Sequence, residues 1–120
     1  MFNFLRPSAP ATPKPSVADI VKGVADGSIA LIDIRELAEV RASGIAKGAL
    51  HIPMGLLPLK ADPKAPDALI TPAKPVAVYC ASGGRCGMAA QTLKRMGYET
   101  VWNIGGLRDW QAAGGQIVKA

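Results

Sequence analysis

The chain has 120 residues, of which 49% are hydrophobic and 19% are charged, and its formal net charge is +5. This length suffices for one domain with a buried core, and the mixture of apolar and charged residues excludes an intrinsically disordered chain. No apolar run approaches the ~18 residues that a membrane span needs. The basic residues are scattered rather than clustered, which argues against nucleic-acid binding.

The N-terminal residues 1–15 contain four prolines among small and polar residues, a composition typical of an extended leader without a core of its own. We therefore divide the chain into a flexible leader, residues 1–15, and one folded domain, residues 16–120. The start of the chain lacks the apolar segment of a signal peptide, which predicts a cytoplasmic protein. Two cysteines alone provide no disulfide framework.

After the leader, the apolar periodicity predicts alternating helices and strands. Ser16 is expected to cap a first helix that stops at Gly27. The later elements are predicted as a strand at 29–33, a helix at 36–43, a strand at 49–52, a proline-rich loop at 53–75, a strand at 76–79, a helix at 86–96, a strand at 100–104 and a last helix opened by 105–106. Strands that are apolar on both faces indicate an α/β fold with a mainly parallel sheet covered on both sides by helices.

The most informative segment is the one that follows the strand at 76–79. Cys80 ends that strand, a small glycine-containing loop follows, and Arg85 closes the loop immediately before a helix. In parallel sheets, ligands bind at the carboxyl ends of the strands. The strand that ends at Asp33 should bring that residue to the same edge of the sheet. We therefore expect an accessible Cys80 thiol whose pKa is lowered by nearby backbone N–H groups and by the helix N-terminus.

The glycines of this loop suit such a site. Gly83 and Gly84 permit positive φ angles and a close approach of the backbone to a bound atom. The N–H groups of residues 81–85 can then converge into a concave site for a small anion.

Four blocks of the sequence, in order, resemble those of the single-domain rhodanese family. They are Leu-Ile-Asp-Ile-Arg-Glu at 31–36, Gly-Ile-Ala-Lys-Gly-Ala-Leu-His-Ile-Pro at 44–53, the Cys-to-Arg loop at 80–85 with the following helix, and Gly-Tyr at 97–98 leading to Gly-Gly-Leu-Arg-Asp-Trp at 105–110. The resemblance covers about residues 17–116. It implies a rhodanese-like fold, a five-stranded and mainly parallel sheet with helices on both faces.

The same resemblance implies an enzyme, a thiosulfate-type sulfurtransferase. Cys80 would take a sulfane sulfur from a small anionic donor such as thiosulfate, become a persulfide, and pass the sulfur to cyanide or to a thiol. A protein is a further candidate acceptor, no nucleic acid or membrane is expected as a partner, and neither a metal nor an organic cofactor is needed. The expected substrate-binding residues form the loop after the cysteine: Ala81, Ser82, Gly83, Gly84 and Arg85.

Several polar residues near this loop have two interpretations. Arg85 either holds an anionic donor or pairs with a carboxylate and fixes the loop. Asp33 and Arg35 are expected to be structural supports, with Asp33 binding loop N–H groups. His51, the only histidine, also fits a structural role better than that of a base.

Cys86 occupies a position where the family usually has serine. We favour a passive replacement. The alternatives are a disulfide partner that protects Cys80 from over-oxidation and a second acceptor of sulfur.

Three other functions remain as alternatives. A non-enzymatic rhodanese-like module that binds a partner often lacks the cysteine, which this chain retains. A phosphatase or arsenate reductase of the same fold uses a Cys-x5-Arg loop, whereas four residues separate Cys80 from Arg85 here. A thiol redox protein would use Cys80 with Cys86, but their spacing is not Cys-x-x-Cys.

The loop also departs from the family pattern. Thiosulfate-preferring members often have basic residues directly after the cysteine, where this chain has Ala81 and Ser82. Thiosulfate is therefore expected to serve mainly as a convenient test substrate.

Overall fold

The computed structural model describes residues 14–81 and 84–120, so most of the predicted leader and residues 82–83 of the loop lie outside the described residues. Helices and strands alternate along the chain. They are α1 (Val17–Asp26), β1 (Ala30–Asp33), α2 (Leu37–Ser43), β2 (Ile45–Ala46), β3 (Leu50–His51), a 3-10 helix (Met54–Leu56), α3 (Leu57–Lys60), β4 (Val76–Cys80), α4 (Cys86–Arg95), β5 (Val101–Gly106), α5 (Leu107–Ala112) and β6 (Ile117–Val118). Over these described ranges, no helix is both long enough and apolar enough to cross a bilayer.

The first helix begins and ends where its sequence predicts. The side chain of Ser16 accepts a hydrogen bond from the N–H of Asp19 at 3.1 Å, which satisfies one of the free amides of the first turn. Gly27 follows the helix with φ at 86°, a left-handed conformation that favours glycine. Ile20 lies on the inner face and is fully buried against the sheet.

The central sheet has the strand order β3-β1-β4-β5, and all three pairs of neighbours are parallel. The predicted α/β class with a mainly parallel sheet is confirmed, but this sheet has four strands instead of five. The segments β2 and β6 form a separate antiparallel pair, with Ile45 opposite Val118. A turn at Gly48, with φ at 92°, follows β2 and separates it from β3, so that β2 is free to pair with the end of the chain.

The predicted loop at 53–75 contains a short helical segment that the prolines obscured. The 3-10 helix and α3 run consecutively from Met54 to Lys60. Pro58 lies in the first turn of α3, where a missing N–H costs nothing because that amide has no partner within the helix. Leu57 is fully buried and anchors the segment to the core.

Two apolar cores lie on the two faces of the sheet. Alternate residues of β4 point to opposite faces: Val76, Val78 and Cys80 join the core beneath α3 and α4, while Ala77 and Tyr79 join the core beneath α1 and α5. All five residues of β4 are buried. The consequence for the site is that the side chains of Cys80 and Tyr79 lie on opposite faces of the sheet.

Candidate active site

The carboxyl ends of β1, β4 and β5 meet at one edge of the sheet, as the sequence predicts. Cys80 is the last residue of β4 and lies opposite Gly106 of β5. A Cβ atom at Gly106 would lie 2.3 Å from the carbonyl oxygen of Ala81. The absence of a side chain at residue 106 therefore allows the chain to leave β4 close against β5 and to enter the loop after Cys80.

The thiol of Cys80 is more enclosed than the sequence led us to expect. The residue is 1% exposed and belongs to the same core as Cys86 and Ala89 of α4. This burial follows from the strand alternation, which directs Cys80 toward α4 and not toward solvent. Ala81, the next residue along the chain, is exposed.

Cys86 is the first residue of α4 and is also buried. Its thiol donates a hydrogen bond to the carbonyl oxygen of Gly105 with a distance of 3.6 Å. Burial raises the pKa of Cys86, and its interaction with Cys80 raises it further. No disulfide joins the two cysteines. A thiol that stays protonated is a poor nucleophile, which favours the passive role for Cys86.

Arg85 forms a two-point ion pair with Glu39 of α2. Its Nη1 and Nη2 each donate to a different carboxylate oxygen of Glu39 at 2.7 Å, and the two side chains are 36% and 34% exposed. The hydrogen bonds from Arg85 lower the pKa of Glu39 to about 2. Those same bonds raise the pKa of Arg85, and an interaction with Cys80 contributes in the same direction. Arg85 therefore pairs with a carboxylate of α2 and also interacts with Cys80.

Glu39 is not among the residues that the sequence predicted for the site. Its spacing of three residues from Glu36 is the signature of a helix start, and Glu39 does accept a hydrogen bond from the N–H of Glu36 at 3.1 Å. That signature predicts a local contact only. The pairing with Arg85 joins residues 46 positions apart and depends on how α2 packs beside the loop.

Asp33 and Arg35 form a buried ion pair beneath the site. Nε of Arg35 donates to both carboxylate oxygens of Asp33 at 3.0 Å, and Nη2 donates to Oδ2 at 2.7 Å. The guanidinium of Arg35 also donates to the hydroxyl of Ser43 and to the carbonyl oxygen of Gly44, both at 2.6 Å. Burial alone would lower the pKa of Arg35, but its hydrogen bonds with Asp33 and the charge of Asp33 raise it.

That Asp33 binds N–H groups of the cysteine loop stays a prediction, because residues 82–83 of the loop lie outside the described residues. The carboxylate of Asp33 accepts hydrogen bonds from the backbone N–H of Arg35 at 2.9 Å and from the hydroxyl of Tyr79 at 2.6 Å. The bond with Tyr79 follows from the strand alternation, because Tyr79 and Asp33 share the face of the sheet opposite Cys80. Asp33 and Arg35 connect the end of β1 to the end of α2.

His51 also contacts this region. Its Nε2 lies 2.7 Å from the backbone carbonyl oxygen of Arg35 and donates to it, since a carbonyl can only accept. The structure thus brings Cys80, Arg85 and Cys86 together and places His51 against the backbone that follows β1. Within residues 14–81 and 84–120, no group of three metal-ligating side chains could hold an ion.

The loop itself is described in part. Ser82 and Gly83 lie outside the described residues, so their place in an anion site stays a prediction. At Gly84 an added Cβ would meet nothing within 4 Å. Open space at Gly84 means that packing against the described residues does not require a glycine there.

Several known proteins resemble the chain in sequence and in fold. The chain is 36% identical over 91 residues to a sulfurtransferase of Allochromatium vinosum, a match that covers 75% of this chain and 78% of that protein. It is 34% identical over 86 residues to the protein YrkF of Bacillus subtilis, covering 71% of this chain but only 43% of YrkF. A solved structure from Rhodopseudomonas palustris, of unknown function and described as a possible tyrosine phosphatase, superposes with a TM-score of 0.70 at 33% identity, over 86% of this chain and 82% of that one. Residues 16–113 match the model of the rhodanese-like domain, and the chain therefore belongs to the rhodanese-like family.

Proposed function

We propose that the protein is a sulfurtransferase that carries a sulfane sulfur as a persulfide on Cys80. The observation that carries the proposal is the position of Cys80, which ends the central strand β4 beside the charge of Arg85 and the start of α4. Membership of the rhodanese-like family and similarity to a sulfurtransferase of Allochromatium vinosum support it.

Two features of this position favour the thiolate form of Cys80, which is the nucleophilic form. The guanidinium of Arg85 supplies a positive charge beside the sulfur. Arg85 is also the N-cap residue of α4, and its side chain makes no capping hydrogen bond. The N–H groups of the first turn of α4 and the helix dipole favour an anion at this end of the helix.

The proposed reaction has two transfers and needs no cofactor. The Cys80 thiolate attacks the outer sulfur of thiosulfate, the S–S bond of the donor breaks, and sulfite leaves with the bonding electron pair. The product is a persulfide on Cys80, whose outer sulfur is held by the N–H groups of residues 81–85. Cyanide then attacks that outer sulfur, thiocyanate leaves, and the Cys80 thiolate is restored. A thiol acceptor reacts in the same way and becomes a new persulfide.

The size of the loop favours sulfur transfer over phosphate chemistry. Four residues separate Cys80 from Arg85, one fewer than in a Cys-x5-Arg phosphatase loop. A loop shortened in this way suits one sulfur atom better than a tetrahedral oxyanion. The pairing of Arg85 with Glu39 acts in the same direction, because it occupies the guanidinium that a phosphate would need.

The proposal is tested by intact-protein mass spectrometry after incubation with thiosulfate. The wild-type protein should gain the mass of one sulfur atom, lose it on addition of cyanide, and release thiocyanate. The Cys80→Ala variant should gain nothing, and Cys86→Ala is the matched control that should still gain the sulfur.

Two outcomes would contradict the proposal. A wild-type protein that gains no sulfur and releases no thiocyanate would favour the partner-binding module. Hydrolysis of p-nitrophenyl phosphate at a rate similar to that of sulfur transfer would favour the phosphatase.

A further inference from the structure

The ion pair between Arg85 and Glu39 reduces the positive charge that the site presents to a substrate. Each of the two outer nitrogens of Arg85 already donates to an oxygen of Glu39 at 2.7 Å. This parallel geometry is the one in which an arginine binds a carboxylate most specifically. A donor that used Arg85 as its anchor would have to compete with a carboxylate that is always present.

Glu39 is itself held in place. Its Oε1 accepts a hydrogen bond from the N–H of Glu36 at 3.1 Å, within the first turn of α2. A negative charge in the first turn of a helix is stabilised by the helix dipole. The bond with the N–H of Glu36 and the two bonds from Arg85 together hold the carboxylate beside the guanidinium.

Because Cys80 is enclosed, the charges around its thiol determine how easily an anionic donor can approach. The residue is 1% exposed, so the reacting end of a donor must lose most of its water before it meets the sulfur. Removing water from an anion is costly unless charges or hydrogen bonds replace it. A dianion such as thiosulfate is affected most, because Glu39 accepts two of the hydrogen bonds of Arg85 and offsets its charge, and because residue 81 is an uncharged alanine.

We infer that Glu39 is a specificity-determining residue that acts through Arg85, disfavouring dianionic sulfur donors and favouring hydropersulfides. This inference rests on the proposed function. The reacting group of a hydropersulfide, R–S–SH, carries at most one negative charge. The Cys80 thiolate attacks its terminal sulfur, the S–S bond breaks, and R–S⁻ leaves with the electron pair, so that no oxidant or reductant is consumed.

The test compares two donors on the full chain. One donor is thiosulfate, and the other is the hydropersulfide of 2-mercaptoethanol, whose carbon skeleton is uncharged. The kcat/KM for sulfur transfer to Cys80 is measured for the wild-type protein, for Glu39→Gln and for Glu99→Gln. Glu99 is exposed and lies before β5, so its replacement makes the same change in net charge without touching Arg85.

We expect Glu39→Gln to raise the ratio of kcat/KM for thiosulfate to kcat/KM for the hydropersulfide by roughly fivefold, mainly through a lower KM for thiosulfate. A change of this size matches the modest free energy of a partly exposed ion pair. The gain should be largest at about 0.01 M ionic strength and should shrink at about 0.15 M, where screening shortens the range of the charge. Glu99→Gln should leave the ratio unchanged. A purely structural role for Glu39 would not produce this salt dependence.

The other outcomes distinguish failure of this inference from failure of the proposed function. An unchanged ratio, or equal losses with both donors, would overturn the role of Glu39 while leaving the proposed sulfur transfer intact. A wild-type protein that accepts sulfur from neither donor would overturn the proposed function and this inference with it.

Discussion

The hydroxyl of Tyr79 donates a hydrogen bond of 2.6 Å to Oδ2 of Asp33 in the interior of the protein, and it also accepts the N–H of Ala46 at 2.9 Å. Burial raises the pKa of Tyr79, and the bond to Asp33 adds to that rise, so the phenol stays protonated and can donate. We predict that Tyr79→Phe lowers the free energy of unfolding by about 1–3 kcal/mol, because the buried Asp33 and Ala46 groups lose a partner. Urea denaturation measures this change.

Tyr98→Phe is the matched control for that prediction. The hydroxyl of Tyr98 is also buried, but it donates to a neutral group, the carbonyl oxygen of Ala61, at 2.6 Å. Hydrogen bonds to charged groups contribute more than neutral ones. Tyr98→Phe should therefore cost less than Tyr79→Phe, and equal or reversed losses would contradict the importance of the charged acceptor.

Gly106 makes the link between the sheet and the cysteine loop. A Cβ at this position would lie 2.3 Å from the carbonyl oxygen of Ala81, so Gly106→Ala must push the start of the loop away from β5. We predict a loss of roughly tenfold or more in kcat/KM for sulfur transfer, since small displacements of reacting groups carry large costs. Overpacking should also lower the free energy of unfolding by about 1–3 kcal/mol.

Gly55→Ala provides the comparison for Gly106→Ala. Gly55 lies in the 3-10 helix, and an added Cβ there would meet nothing within 4 Å. Steady-state release of thiocyanate should therefore stay close to that of the wild-type protein. If Gly106→Ala and Gly55→Ala both kept full activity, the close approach of residue 106 to Ala81 would not be what positions the loop.

The sequence predicted the order of the elements because the apolar patterns were strong and the caps were local. The N-cap at Ser16 and the stop at Gly27 depend only on residues within one turn, and both were confirmed. The pairing of β2 with β6 could not be predicted in the same way. It joins Ile45 to Val118, two short segments whose contact depends on where the rest of the chain has placed them.

The same distinction holds for the site. The placement of Cys80 at a strand end before a helix followed from local patterns, and the structure has it there. The burial of Cys80 and the pairing of Arg85 with Glu39 could not be predicted from local patterns. Both depend on how α2 and α4 pack around the loop. Strand alternation, applied to Tyr79 and Cys80 together, was the available signal that Asp33 would bind on the face opposite the thiol.

Cys86 offers a test of the passive interpretation. The residue is buried, its thiol donates to the carbonyl oxygen of Gly105, and its raised pKa keeps it protonated. We predict that Cys86→Ser, which retains a hydrogen-bond donor, keeps sulfur transfer within about twofold of the wild-type rate, because no step uses the Cys86 sulfur as a nucleophile. Thiocyanate release measures this rate, with Cys80→Ala as the inactive reference.

The same variant addresses the protective disulfide. Wild-type protein and Cys86→Ser should lose activity at the same rate in hydrogen peroxide if Cys86 is passive. Faster and irreversible loss in Cys86→Ser would instead show that a disulfide with Cys80 limits its over-oxidation.

The ion pair between Glu39 and Arg85 should contribute to stability in a pH-dependent way. The pKa of Glu39 is lowered from 4.5 to about 2 in the folded protein by its hydrogen bonds with Arg85. A lowered carboxyl pKa gives stability that is fully present above the ordinary value and is lost as the pH falls through the folded value. Because both side chains are more than a third exposed, we expect a contribution of at most about 1 kcal/mol.

The measurement is the difference in free energy of unfolding between the wild-type protein and Glu39→Gln as a function of pH. This difference should be constant at neutral pH and should shrink as the pH is lowered from 4.5 toward 2. The Arg85→Met background should strongly reduce the pH dependence, since the bonds with Arg85 are the largest cause of the lowered pKa of Glu39. A difference that persists unchanged in that background would mean that Glu39 acts on stability through α2 alone, by way of its bond with the N–H of Glu36.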